Sequence, residues 1–114
     1  MSNKARRRKF EVTAPVDFRD FYQSMKDDQM KRSVDGLVDA LEQRPLDAGD
    51  FVARKLWPDE YKTMGLNNVY KADLAKGARL TYTVTVFKDG SGMVKIIEFF
   101  ATHKDYAKKF GYDV

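Results

Sequence analysis

The chain has 114 residues, with 21 lysines and arginines against 17 aspartates and glutamates, one histidine and no cysteine. That length predicts one domain able to bury roughly two thirds of its unfolded surface without disulfide or metal staples. The lack of cysteine excludes thiol nucleophiles, cysteine-ligated zinc, iron–sulfur clusters and disulfides, and a lone histidine excludes a metal site built on imidazoles.

The formal charge of +4 is unevenly placed. Lys4, Arg6, Arg7, Arg8 and Lys9 are five cations in the first nine residues, so residues 10–114 carry 16 basic and 17 acidic groups. Within that body, residues 10–67 sum to −4 and residues 68–114 to +3. Residues 1–8 hold nothing to bury and are expected to be a flexible basic tail, either a solubilising extension or an arm on nucleic acid, ahead of a single domain at 9–114. No apolar run nears the roughly 20 residues of a membrane span, and no apolar stretch follows the basic start as in a secretory signal. A soluble, cytoplasmic protein with no membrane partner is expected.

In chain order, Lys9 to Ala14 alternates Phe10, Val12 and Ala14 against Lys9, Glu11 and Thr13, the period of a half-buried strand. Pro15 ends it, and Asp17 is placed to cap a helix with Phe18, Phe21, Tyr22 and Met25 on one face. A second helix is expected from about Asp27 to Gln43, with Met30, Val34, Leu37, Val38 and Leu41 in one stripe and Arg44-Pro45 as its stop. Residues 46–67 are irregular yet too apolar for a linker, which predicts a packed loop holding Trp57 and a short helix from Pro58 that Gly65 closes. Three strand-like runs follow at Val69 to Leu74, Arg79 to Phe87 and Met93 to Ala101, joined by short glycine-bearing turns, and Lys104 to Tyr112 reads as a terminal helix.

This order predicts an α+β fold: an antiparallel sheet of the N-terminal strand plus a three-strand meander, a two-helix hairpin on one face and a short C-terminal helix. Alternation in Arg79 to Val86 assigns Leu80, Tyr82, Val84 and Val86 to the helix-covered face and Arg79, Thr81, Thr83 and Thr85 to an uncovered one. In the last strand Val94, Ile96 and Phe100 share a face with Glu98, while Met93, Ile97 and Phe99 share one with Lys95, so alternation does not select a core face there.

There is no glycine-rich phosphate loop, no nucleophile elbow and no distinctive pair of carboxylates. The last third carries the signal. Tyr70-Lys71, a glycine-bearing turn, Arg79-Leu80-x-Tyr82-x-Val84, an apolar strand and a closing His103-Lys104-x-Tyr106 resemble the RelE/ParE superfamily of toxins from type II toxin–antitoxin systems, in its RelE-like branch. The resemblance covers residues 9–112, including the stretch from Trp57 to Asn68 and the ending Lys108 to Tyr112.

That resemblance implies a metal-free, cofactor-free endoribonuclease that cleaves messenger RNA on the ribosome and inhibits translation, with a cognate antitoxin protein as its partner. In such chemistry the RNA 2′-hydroxyl attacks the adjacent phosphate and leaves a 2′,3′-cyclic phosphate and a 5′-hydroxyl. It needs a base, an acid and cations for the phosphorane charge. By position, Arg79 is the phosphate contact, Lys71 adds positive charge, His103 is the acid or base, Lys104 stands beside the phosphate, Tyr106 stacks on a base or assists proton transfer, and Lys108 extends the RNA-binding surface. Asp73 stands where ribosome-dependent members often carry a second lysine.

Two other readings follow from the same residues: a non-catalytic interaction protein of this fold, and a general nucleic-acid-binding module driven by the tail. For single residues the plain structural roles are helix bracing for His103, solvation for the lysines and packing for Trp57, Tyr70, Tyr82, Phe99 and Phe100. The oligomeric state is not legible.

Overall fold

A computed structural model describes residues 9–111, so the basic tail and the expected reach of the last helix to Tyr112 lie outside the described residues. Strand β1 spans Phe10–Thr13. Helix α1 spans Val16–Ser24 with Pro15, not Asp17, at the N-cap. Asp17 instead lies in the first turn, where its charge meets the positive end of the helix dipole. Helix α2 spans Asp28–Gln43, and Asp27 caps it by accepting the amides of Gln29 at 3.0 Å and Met30 at 3.1 Å. Its expected stripe packs inward: Met30, Val34 and Leu41 are buried and Leu37 and Val38 half-buried.

The segment expected to be irregular holds several short elements, among them a 3-10 turn at Arg54–Leu56. Pro45 ends α2 and opens a single turn, α3 (Pro45–Ala48), followed by a two-residue strand β2 (Asp50–Phe51) and helix α4 (Asp59–Lys62), which Pro58 caps. Gly65 does not cap α4; Thr63 does, and Gly65 turns the chain with φ +73° two residues later. The remaining strands and α-helix are β3 (Tyr70–Asp73), β4 (Arg79–Val86), β5 (Gly92–Phe100) and α5 (His103–Phe110). Thr102 caps α5 by accepting the Asp105 amide, and Gly111 closes it with a left-handed φ of 77°.

The strands order as β1-β5-β4-β3-β2. The meander is antiparallel as expected, but β1 runs parallel to β5, with Phe10 opposite Gly92 and Val12 opposite Val94. Parallel neighbours need a long crossover, and the chain between β1 and β5, opening with the α1–α2 hairpin, supplies it. A Cβ at Gly92 would lie 2.8 Å from the Phe10 ring and 2.0 Å from the Thr85 carbonyl, so glycine is what lets β1 dock there.

Both faces of the sheet are covered, which corrects the expectation of an open one. Under the helical hairpin lie Phe10, Met30, Val34, Leu41, Leu80, Tyr82, Val84, Val94 and Ile96. On the other face Val52, Trp57, Tyr61, Val69, Phe100, Tyr106 and Phe110 form a second core from the 52–66 segment and α5. Thr81 and Thr83, expected to be exposed, are buried beneath it. Their hydroxyls are satisfied by Tyr61 at 2.8 Å and by the Asn68 side chain at 2.9 Å. That Asn68 amide also accepts the Val84 N–H at 2.8 Å and donates to the Val84 carbonyl at 2.9 Å, standing in for a neighbouring strand.

The ambiguity of the last strand has a physical cause. The register slips between Thr81 and Tyr82, which face Glu98 and Ile96, so Ile97 is the extra residue of a β-bulge. Before it, Val94 and Ile96 point to the hairpin core; after it, Phe99 takes that side and Phe100 enters the second core.

Candidate nucleic-acid interface

Arg79 begins β4 just after the turn that ends β3, and His103 and Lys104 begin α5. The turn from β3 to β4 carries Lys76 at φ 58° and Gly77 at φ 79°. Two contacts to α2 hold this left-handed bend: Ser33 Oγ accepts the Ala75 amide at 2.9 Å, and the Asp27 carboxylate pairs with Lys76. The Lys76 contact, ahead of the Met30 amide, holds the Asp27 carboxyl below its ordinary range. On its other side the turn abuts α5, with the His103 amide 3.9 Å from where a Cβ on Gly77 would stand.

Arg79 follows as the first residue of β4, opposite Asp73 on β3 and Phe100 on β5. Its Nε donates to Asp73 Oδ1 at 3.0 Å, and its guanidinium carbon lies 4.8 Å from the Tyr106 ring centre. Tyr106 is wedged between Phe100 at 5.4 Å and Phe110 at 4.4 Å and has no exposed surface. It therefore cannot stack on an RNA base; it is the floor on which Arg79 rests. Arg79 keeps 21% of its side chain exposed.

Lys71 shares this face, since it pairs in register with Thr81, and its ammonium sits 3.3 Å from Asp50 on β2. His103 and Lys104 are exposed on the first turn of α5, at the same end of the sheet as Arg79. His103 is three residues before Tyr106, on the same side of the helix. Lys108 is exposed in the last turn, away from that end. Thus register places Lys71 on the face that carries Arg79, Tyr106 lies beneath Arg79, His103 and Lys104 begin the same helix as Tyr106, and Lys108 lies in its last turn.

A second cluster adjoins the first. Tyr61 Oη donates to Glu98 Oε1 at 2.9 Å while the Thr81 hydroxyl lies 2.8 Å away. Lys109 joins Glu60 to Glu98, the latter at 3.6 Å. The Glu60 hydrogen bond, first among several, raises the Lys109 ammonium above its usual range, and burial pushes the Tyr61 phenol well above its own. Glu98 thus meets both a lysine and a hydroxyl. Sequence reading missed Asp50 and Tyr61 as partners of this face. A two-residue strand leaves no alternation to read, and Tyr61 sits in the segment without a period.

A groove lies on the opposite side of the sheet. It has a volume of about 730 Å³ and is walled by Val12, Phe18, Tyr22, Val38 and Ile96, with Asp35 and Asp39 at its side. Among the described residues no helix is long and apolar enough to cross a membrane.

A mixed five-strand sheet with a helical hairpin on one face and the C-terminal helix on the other makes this an α+β protein. No protein-family model and no curated protein matches the chain. Among solved structures it is similar to a free-state mutant of the toxin RelE from E. coli in which two arginines are replaced by alanine. The identity is 17%, the match covers 90% of this chain and 94% of that one, and the TM-score is 0.50. The chain has a RelE-like fold.

Proposed function

We propose that this protein is a RelE-like toxin that cleaves messenger RNA on the ribosome without a metal, using the corner at Arg79. The observation that carries this reading is the placement of Arg79. The buried Tyr106 ring restrains its guanidinium, and His103 and Lys104 are exposed on the first turn of the helix that carries that ring. A guanidinium held in place stabilises a pentacoordinate phosphate without reorganising when the charge develops. Its planar fork suits two phosphate oxygens at once. His103 supplies the acid or base and Lys104 a second positive charge. Tyr106 acts through Arg79 as a positioning residue. The partner is a small antitoxin, and the apolar groove between β1 and the helical hairpin offers it a surface.

The experiment is primer extension on a translated message with purified wild type and Arg79→Ala, together with the chemistry of the new ends. Cleavage by wild type alone, leaving 5′-hydroxyl ends, is expected. Cleavage by neither, or by both equally, removes the enzymatic reading.

One observation favours a second reading, a non-catalytic interaction protein of the same fold. Lys71, Arg79 and Lys109 each already hold a carboxylate of the chain itself. Toxicity on expression that survives the double change Arg79→Ala, His103→Ala selects this reading.

A further inference from the structure

The paired cations of the candidate interface have a consequence for how tightly it takes an anion. Asp50 and Lys71 are in direct register across β2 and β3, and Asp73 and Arg79 across β3 and β4. Lys71 and Asp73 are two residues apart on one strand, so the four side chains form two adjacent ion pairs on one face. The carboxylates are the exposed members: 74% for Asp50 and 68% for Asp73, against 23% for Lys71 and 21% for Arg79. The acids therefore sit on the solvent side, where an incoming polyanion arrives, and the bases sit behind them.

We propose that Asp73, assisted by Asp50, is a built-in competitor for the RNA phosphate, and that the site binds RNA by exchanging these two ion pairs for phosphate contacts. The inference rests on the RNA-directed reading above and specifies how that site is restrained. Lys71 and Arg79 are diagonal neighbours on adjacent strands, about 7–8 Å apart along the backbone, a separation that suits neighbouring phosphates of one strand. A phosphate that takes Arg79 must displace Asp73 or lie against its negative charge. At contact distance in water that repulsion is worth about fivefold in affinity. Neither carboxylate supports a core, since both are exposed at strand ends.

The two possible roles of Asp73 predict opposite signs. If the carboxylate served chiefly to orient Arg79, its removal would weaken binding; as a competitor, its removal strengthens it. A second sign separates them as well. Salt screens the Asp73 charge, so the advantage of removing it should be largest at low salt and shrink as salt rises, which steepens the dependence of log affinity on log salt for Asp73→Asn.

The test is fluorescence anisotropy of the full chain with a 2′-O-methyl RNA oligonucleotide, which keeps the phosphates but lacks the attacking hydroxyl. Wild type, Asp73→Asn, Asp50→Asn and Arg79→Ala are titrated across a salt series, with thermal melts to confirm folding. The expected result is about fivefold tighter binding and a steeper salt slope for Asp73→Asn, a smaller gain for Asp50→Asn, and loss for Arg79→Ala. Equal or weaker binding by a folded Asp73→Asn, with wild-type binding still dependent on Arg79, overturns the competitor role and leaves the RNA reading standing. Tighter binding by Asp73→Asn with no cleavage of message by any form supports the competitor role and removes the nuclease. Absence of binding by every form overturns the competitor role outright.

Discussion

The guanidinium carbon of Arg79 lies 4.8 Å from the centre of the Tyr106 ring, and that ring is fully buried between Phe100 and Phe110. The proposed phosphate contact and a central residue of the second core are therefore neighbours. Tyr106→Ala should cost about 3–5 kcal/mol of stability and release Arg79 together. Tyr106→Phe keeps the ring and should retain the position of Arg79. Denaturant melts paired with RNA binding separate the two effects, and a Phe variant that lost binding while remaining stable would assign the role to the hydroxyl instead.

Arg79→Lys should fail to restore function although it preserves charge. An ammonium has no planar fork for two phosphate oxygens, and it stacks less well on the Tyr106 ring. Full activity of Arg79→Lys in the cleavage assay would show that only a point charge is needed.

Tyr61 ties α4 to the sheet through Glu98 and Thr81. Tyr61→Phe should cost about 1–3 kcal/mol, because a buried hydroxyl and a carboxylate each lose a partner. Burial raises the phenols of Tyr61 and Tyr82 above their usual 10.0. A group whose folded pKa is raised gives stability that is complete below its unfolded pKa and is lost as pH rises. Stability should accordingly fall above about pH 10, with these two tyrosines ionising only as the protein unfolds. Spectrophotometric titration that ionised every tyrosine in a folded protein would contradict their burial.

The opposite sign applies to Asp27, which caps α2 and pairs with Lys76. Its folded pKa is lowered, first by Lys76 and then by the Met30 amide. Its contribution is present above the unfolded value of 3.8 and is lost as pH falls through the folded one. Asp27→Asn should flatten the acid limb of a stability profile and loosen the turn that leads into Arg79. An unchanged acid limb would remove Asp27 as an anchor of that turn.

Gly49 separates α3 from β2 with no room for a side chain. A Cβ there would stand 2.4 Å from the Lys71 carbonyl and 2.7 Å from the Tyr82 hydroxyl. Gly49→Ala should cost about 1–3 kcal/mol by overpacking and push β2 off β3, separating Asp50 from Lys71. Amide exchange along β3 is the readout, and unaltered protection would show that β2 adapts.

Periodicity revealed most of this fold because most of it is periodic. The stripe of α2, the alternation of β1 and the glycine turns of the meander each mark an element that the structure contains. What escaped has physical causes. Strand β2 is too short to alternate. The Ile97 bulge switches faces mid-strand, so Met93 to Phe100 reads as apolar on both sides. The second core came from Trp57, Tyr61 and Phe110, whose spacing has no period, and it buried the threonines that alternation alone had assigned to an open face. At the site, residue type identified Arg79 and Lys71, and register places them on one face. Sequence alone could not show that Asp50 and Asp73 face them, because an ion pair depends on which strands become neighbours.

The most direct test of the central claim is single-turnover cleavage of a message on programmed ribosomes by wild type and Arg79→Ala. Removal of a donor aimed at transition-state charge should slow the reaction by about 10²–10³, with the variant still folded and the wild-type product ending in a 5′-hydroxyl. Equal rates for the two proteins, or no cleavage by a folded wild type, would contradict it.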